Sequence, residues 1–207
     1  SAIPGIFLTL PFITTMKVLF GNRHIIKDVR NYLDIKPLNS ERRALWFSDI
    51  EVDPNVVKRT IDGMDIGISA DQFPLKVVMP EFKEKTFEQN GLQTMNLPTF
   101  YEKKLASLNN FTFKFPSLLK SIDMLYKENP TEIIVATSGP FGLIGVLMSK
   151  LMDIPCTGLQ QTDFTQKVDE ITGENSMHDV TDSYLKWFYS ILDYIKTPTE
   201  SEADLLR

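Results

Sequence analysis

Apolar residues in this chain fall into short runs separated by helical spacings, and the clearest example lies near the centre. Glu132 to Ala136 (EIIVA) is a β-branched run of the kind a buried parallel strand requires. Thr137, Ser138, Gly139 and Pro140 break it, and Pro140 suits the first position of a helix. Leu143, Leu147 and Leu151 follow at a constant helical interval, flanked by Ile144, Met148 and Met152, which makes one wide apolar helix face. Gly142 and Gly145 would let that helix lie close to a sheet. Asp153 to Pro155 closes it, and Cys156 to Leu159 reads as the next strand. Strand, crossover helix and strand of this length predict a βαβ unit.

The same reading extends in both directions. Residues 1–20 are the most apolar part of the chain, uncharged until Lys17 and interrupted by Pro4, Gly5 and Pro11. They predict an arm that packs on the domain or offers a surface to a membrane or a neighbouring domain. Asn22 to Leu33 continues as a helix with Ile25, Ile26, Val29 and Leu33 on one face. Lys36 to Ser40 reads as a linker, which places a boundary near residue 40. Ala44 to Phe47 and Leu75 to Met79 are strands. Between them a helix is expected from about Asn55 to Ile68, with Val57, Ile61, Met64 and Ile68 at helical spacing. Glu81 to Asn90 is a charged excursion, and Leu92 to Leu97 contains a short strand.

Residues 100–115 interleave the aromatics Phe100, Tyr101, Phe111 and Phe113 with Lys103, Lys104 and Lys114. A strand and loop packing on the domain, an acceptor-binding surface and base stacking are the three readings of that pattern. Pro116 opens a helix carrying Leu118, Leu119, Ile122, Leu125 and Tyr126. After Asp163, a short helix is expected over Phe164 to Ile171, a strong one over His178 to Leu192 and a strand over Tyr194 to Lys196. Thr199 and Glu202 form a capping-box signature for a final helix that runs to Arg207. The fold class is therefore α/β, a Rossmann-like parallel sheet flanked by helices, with an N-terminal helical arm over 1–40 and the main domain over 41–207.

Composition changes this picture little. The 207 residues are 43% hydrophobic, ample for a core, and the net charge of −5 supplies no field for nucleic acid. The one cysteine, Cys156, excludes an internal disulfide and fits a cytoplasmic chain. No run is apolar and long enough to span a bilayer, and the N-terminus has neither the basic start nor the cleavage site of a secretory leader.

Candidate chemistry gathers at the carboxyl ends of the strands, where open α/β sheets bind ligands. The histidines, His24 and His178, sit in helical patterns away from those ends, and there is no zinc cluster, GxGxxG, Walker A or nucleophile elbow. Three loops remain: Asp49 to Arg59, Thr137 to Gly142, and Gln160 to Asp163. Two lead into helix N-termini, whose backbone N–H groups favour anions. Gln161, Thr162 and Asp163 could bond sugar hydroxyls; Asp163 could equally cap the helix that follows.

Taken together, these loops resemble the N-terminal domain of family-4 (group 1) glycosyltransferases of the GT-B fold. The stretches that carry the resemblance are LWFSDIEVDPNVVKRT (45–60), TEIIVATSGPFGLIGVLMSKLMDIPCTGLQQTDF (131–164) and DSYLKWFYSILDYIKTPTESEADLL (182–206). They keep the family's order of a T-D-type strand end, an N-G-V-x-R-type loop, a T-P-G-P-x-G-type turn, a Y-H-T-D-type strand end and a W-F-Y helix. Val56 stands where the family has glycine, and Gln161 where it has histidine.

The resemblance implies a retaining, metal-independent hexosyl-type glycosyltransferase with no cofactor. Sugar would pass from a nucleotide diphosphate sugar to a hydroxyl acceptor, a glycan or a lipid. This chain would be the acceptor-side half, and a second domain beyond Arg207 would bind most of the donor, so the 207 residues alone are expected to be inactive. The resemblance places Gln161 and Asp163 at the reaction centre, and Asn55, Val56, Val57, Arg59, Ser138, Gly139, Gly142 and Thr162 along the cleft. It implies no nucleic-acid partner, a cytoplasmic location and, through the apolar arm, peripheral membrane contact. Val56 and Gln161 also support a second reading, a non-catalytic glycosyltransferase-like binding or regulatory domain. A nucleotide-sugar epimerase of the same fold is the third.

Overall fold

The computed structural model describes residues 3–35, 41–50, 52–63, 74–80, 92–105, 111–159 and 175–197. Two helices lead, α1 (Ile3–Gly21) and α2 (Arg23–Tyr32). Then come β1 (Ala44–Phe47), α3 (Pro54–Gly63), β2 (Leu75–Met79), β3 (Gln93–Asn96), β4 (Thr99–Leu105) and β5 (Phe111–Pro116). The chain continues through α4 (Leu118–Lys127), β6 (Glu132–Val135), α5 (Pro140–Met152), β7 (Cys156–Leu159), α6 (Asn175–Ser190) and β8 (Tyr194–Lys196).

Six strands form one sheet in the order β3-β2-β1-β6-β7-β8, and every pairing in it is parallel. The order reverses between β1 and β6, where Ala44 pairs with Glu132 and Phe47 with Val135. Because strand side chains alternate, each strand feeds both faces. Leu45, Phe47, Val78, Ile133, Val135 and Cys156 enter one buried cluster with α5, while Ala44, Trp46, Val77, Met79, Ile134 and Leu159 enter a second with Val57 and Ile61 of α3. The chain is thus an α/β, Rossmann-like sheet covered by helices on both faces.

Helix α5 is the axis of the larger cluster. Every residue of it except Lys150 is buried. A Cβ on Gly145 would stand 2.9 Å from the Phe47 ring, so the glycine anticipated in the sequence does bring helix and sheet into contact. The central unit follows the sequence reading closely: Pro140 opens α5, and Asp153 ends it in the left-handed conformation with φ 60°. Cys156 is fully buried in β7, and that burial pushes its thiol up to about 12.

The arm packs on α5. Asn22 caps α2 by accepting the N–H groups of His24 and Ile25 through its Oδ1 (3.1 and 3.4 Å). Arg30 reaches from α2 to the carboxyl end of α5, where its Nη2 donates to the Lys150 carbonyl at 2.6 Å. A cation there also meets the negative end of the helix dipole. Met16 and Ile35 belong to the same buried cluster as α5. Lys17 lies over the Trp187 ring of α6 at 5.1 Å. Helix α1 is continuous through Pro4, Gly5 and Pro11. Pro4 falls in the first turn, where its missing N–H is without consequence, whereas Pro11 forgoes one bond inside the helix.

Three elements differ in detail from the sequence reading. Residues 99–116 form an antiparallel hairpin of two strands rather than one strand and a loop, with Tyr101 opposite Phe115. Phe115 also meets Phe12 of α1 edge-on at 5.8 Å and Tyr101 at 5.9 Å, so these rings pack on the domain, while Phe100 is largely exposed. Helix α6 begins at Asn175, three residues before the expected start. Helix α4 begins at Leu118 with Ser117 before it, and Pro116, expected to open it, ends β5. The expected end of α3 at Ile68 lies outside the described residues. The helices expected over 164–171 and from Thr199, and the charged stretch 81–90, lie outside the described residues.

Candidate functional site

The reversal of strand order places a crevice outside the carboxyl ends of β1 and β6, the position at which open α/β sheets take ligands. β1 runs into Ser48 and Asp49, and β6 into Ala136 and Thr137. Both predicted loops, 49–59 and 137–142, therefore converge here.

Asp49 organises the crevice. Its Oδ2 accepts a hydrogen bond from Thr137 Oγ1 at 2.6 Å and from the Gly139 N–H at 2.9 Å. Its Oδ1 accepts from the Phe141 N–H at 2.8 Å, and the Gly142 N–H approaches Oδ2 at 3.5 Å. Thr137 Oγ1 also accepts the Asp49 N–H at 2.8 Å, so the two residues are joined twice. The carboxylate thus sits on the N-terminus of α5 and matches its first-turn donors and the helix dipole. The α5 terminus that the sequence offered to an external anion is filled from within the protein.

Burial raises the Asp49 carboxyl from 3.8 to about 6, against the opposing pull of the bonds from Thr137, Phe141, Gly142 and Gly139. Tyr184 of α6 closes the loop from the other side, its hydroxyl donating to the Ser138 carbonyl. Burial, with the Asp49 charge as the second cause, pushes the Tyr184 hydroxyl well above the ordinary tyrosine range.

The predicted glycines have steric work here. A Cβ on Gly139 would lie 2.5 Å from the Asp49 carboxyl carbon, and one on Gly142 would lie 2.0 Å from the Thr137 carbonyl oxygen. Both positions bring backbone close to backbone or to Asp49. Ser138 is buried between them.

On the α3 side lies a recess of about 40 Å³, walled by Trp46, Ser48, Val56, Val57, Thr60 and Thr137 among others. It has room for one or two water-sized groups, not for a sugar ring. Val57 is buried in the second cluster and Val56 is 42% exposed at the recess. Asn55 lies in the first turn of α3, and Arg59 is exposed on the same helix. The hydroxyls around the recess are engaged: Ser48 Oγ donates to the Ile50 carbonyl and Thr60 Oγ1 to the Val56 carbonyl, each at 2.8 Å. The Trp46 indole Nε1–H is buried and has no acceptor among the described residues.

Of the predicted site residues, the structure brings Val56, Val57, Ser138, Gly139 and Gly142 to one crevice. Gln161, Thr162 and Asp163 lie outside the described residues. Asp49 and Tyr184 are the residues the sequence reading did not select. Asp49 carried a usable signal, an acidic residue two positions after a buried strand; Tyr184 carried none beyond its place on an apolar helix face.

No family model, curated protein or solved structure matches this chain.

Proposed function

We propose that this chain is the acceptor-side domain of a retaining glycosyltransferase. In the whole enzyme, sugar passes from a nucleotide diphosphate sugar to a hydroxyl of a glycan or lipid. The observation that carries this reading is the convergence of two loops of the resembling pattern, 49–59 and 137–142, on the crevice where the strand order reverses. The α5 terminus is already matched by Asp49, so donor diphosphate is held mostly by the partner domain, where stabilisation of the departing charge would carry much of the catalysis. In this reading, this side supplies the wall against which the acceptor lies, with Gln161, Thr162 and Asp163 at the transferring sugar.

The test uses the natural full-length protein with a panel of nucleotide sugars and hydroxyl acceptors, with products read by mass spectrometry. A sugar-mass increment on one acceptor together with released nucleoside diphosphate is the expected result. An isomerised nucleotide sugar formed without acceptor would replace this reading with the epimerase.

A second reading, a non-catalytic binding or regulatory domain, is favoured by two observations. Val56 places a side chain at the recess where the resembling pattern has glycine, and Asp49 occupies the helix terminus an anion would use. Absence of transfer and of nucleotide-sugar binding by the full-length protein, with activity gained in the Val56→Gly, Gln161→His double variant, would establish it.

A further inference from the structure

Away from the strand ends, helix α1 and the β4–β5 hairpin border an open-mouthed pocket of about 440 Å³. Its walls include Phe12 and Met16 of α1, Phe100, Tyr101 and Phe115 of the hairpin, and Leu118 at the start of α4. Protein interiors leave few voids larger than a water molecule. An apolar cavity of about 150 Å³ stays dry and admits benzene; this one is roughly three times that size. Among the described residues no charged side chain lines it, and the hydroxyls of Thr15 and Tyr101 are the only polar side-chain groups on its walls. A sugar or a phosphate placed there would leave its own polar groups unmatched. A hydrocarbon would not.

The surroundings of the cavity are apolar as well. Phe100, on its wall, is 68% exposed, and Leu119, next to Leu118, is 71% exposed. Exposed apolar side chains grouped around a pocket mark contact with an apolar phase. Helix α1 adds to this: its sequence is uncharged from Ile3 to Met16. Lys120, the residue after Leu119, is exposed, and a lysine beside exposed apolar side chains suits a headgroup phosphate.

We propose that this cavity holds one aliphatic chain of a membrane lipid, with Phe100 and Leu119 meeting the bilayer and Lys120 meeting the headgroups. The site is separate from the strand-end crevice, so it does not depend on sugar transfer.

Two measurements on the intact chain test it: flotation with phosphatidylcholine vesicles, and fluorescence titration with cis-parinaric acid, a soluble single-chain probe. The chain is expected to float with the vesicles and to bind the probe saturably at one site. Leu118→Trp, which fills the cavity, is expected to weaken probe binding at least about tenfold with no fall in the thermal midpoint. Thr15→Phe, at an exposed position of α1, serves as the filling variant if Leu118→Trp does not fold. Phe100→Ser is expected to reduce flotation while leaving probe affinity within about threefold. Probe binding that neither filling variant changes would overturn the proposal. So would flotation without probe binding, which would mean membrane contact without a chain site. The absence of both flotation and probe binding would overturn it as well.

Discussion

The crevice at the end of the sheet and the cavity under α1 are opposite solutions to an open space in a fold. At the crevice every donor of the α5 N-terminus is brought to one carboxylate, and the remaining recess holds about 40 Å³. Under α1 the walls have almost nothing to bond with, and about 440 Å³ stays open. Polar groups left unmatched in a protein interior are costly, so a polar end closes on itself. Apolar walls lose only dispersion when they are left apart, so an apolar space can persist until a partner fills it.

Breaking the closed side is expected to have the largest effect. Asp49→Ala removes the acceptor from the Gly139 and Phe141 amides and should lower unfolding free energy by about 3 kcal/mol at pH 5, measured by urea denaturation. The pH dependence tests the same carboxylate. Its folded pKa, about 6, is above the unfolded value of 3.8, so the contribution is fully present below about pH 4 and is lost as pH rises through 6. A fall on the order of 3 kcal/mol between pH 4 and pH 7 is expected in the parent, and a flat profile over that interval in Asp49→Asn. Equal slopes in the two proteins would place the titration elsewhere.

Gly142→Ala forces a Cβ against the Thr137 carbonyl and should cost about 2 kcal/mol, whereas Gly21→Ala, with nothing within 4 Å, should be neutral or slightly stabilising. The open side should yield least. Leu147→Ala in the packed cluster should cost about 3 kcal/mol. Met16→Ala, beside space that is already empty, should cost about half of that, because it forfeits fewer contacts. A Met16 variant as damaging as the Leu147 variant would show that the cavity walls are packed like the core.

The contrast also explains what could be read from the chain. β1, β2, β7 and β8 have the bounds their apolar runs suggest, since Pro, Gly, Ser and Asp punctuate each one. α5 was legible from Pro140 to Met152 for the same reason: its signals are local. The Asp49 clamp was not, because its partners lie 88 to 93 residues away in the chain and nothing in Ser48–Asp49 names them. The hairpin read as one strand and a loop because the alternation of Phe111, Phe113 and Phe115 in sequence fits either arrangement. The cavity depends on how far α1 stands from that hairpin, a distance no periodicity encodes. Of the candidate site, the glycine-rich turn was visible in sequence, and its internal anion was not.

The peptide unit between Ser138 and Gly139 is held at both ends. Its carbonyl takes the Tyr184 hydroxyl, and its N–H goes to Asp49. In hydrogen-exchange terms, Gly139 should be a loop amide that behaves like one in the core, since it can open only if β1 and α6 release it together. A peptide polarised from both sides also transmits charge: protonation of Asp49 weakens the pull on the N–H and, with it, the carbonyl's hold on Tyr184. Acid therefore reaches α6, more than 130 residues along the chain from Asp49, through a single amide plane, and the exchange rate at Gly139 is its gauge.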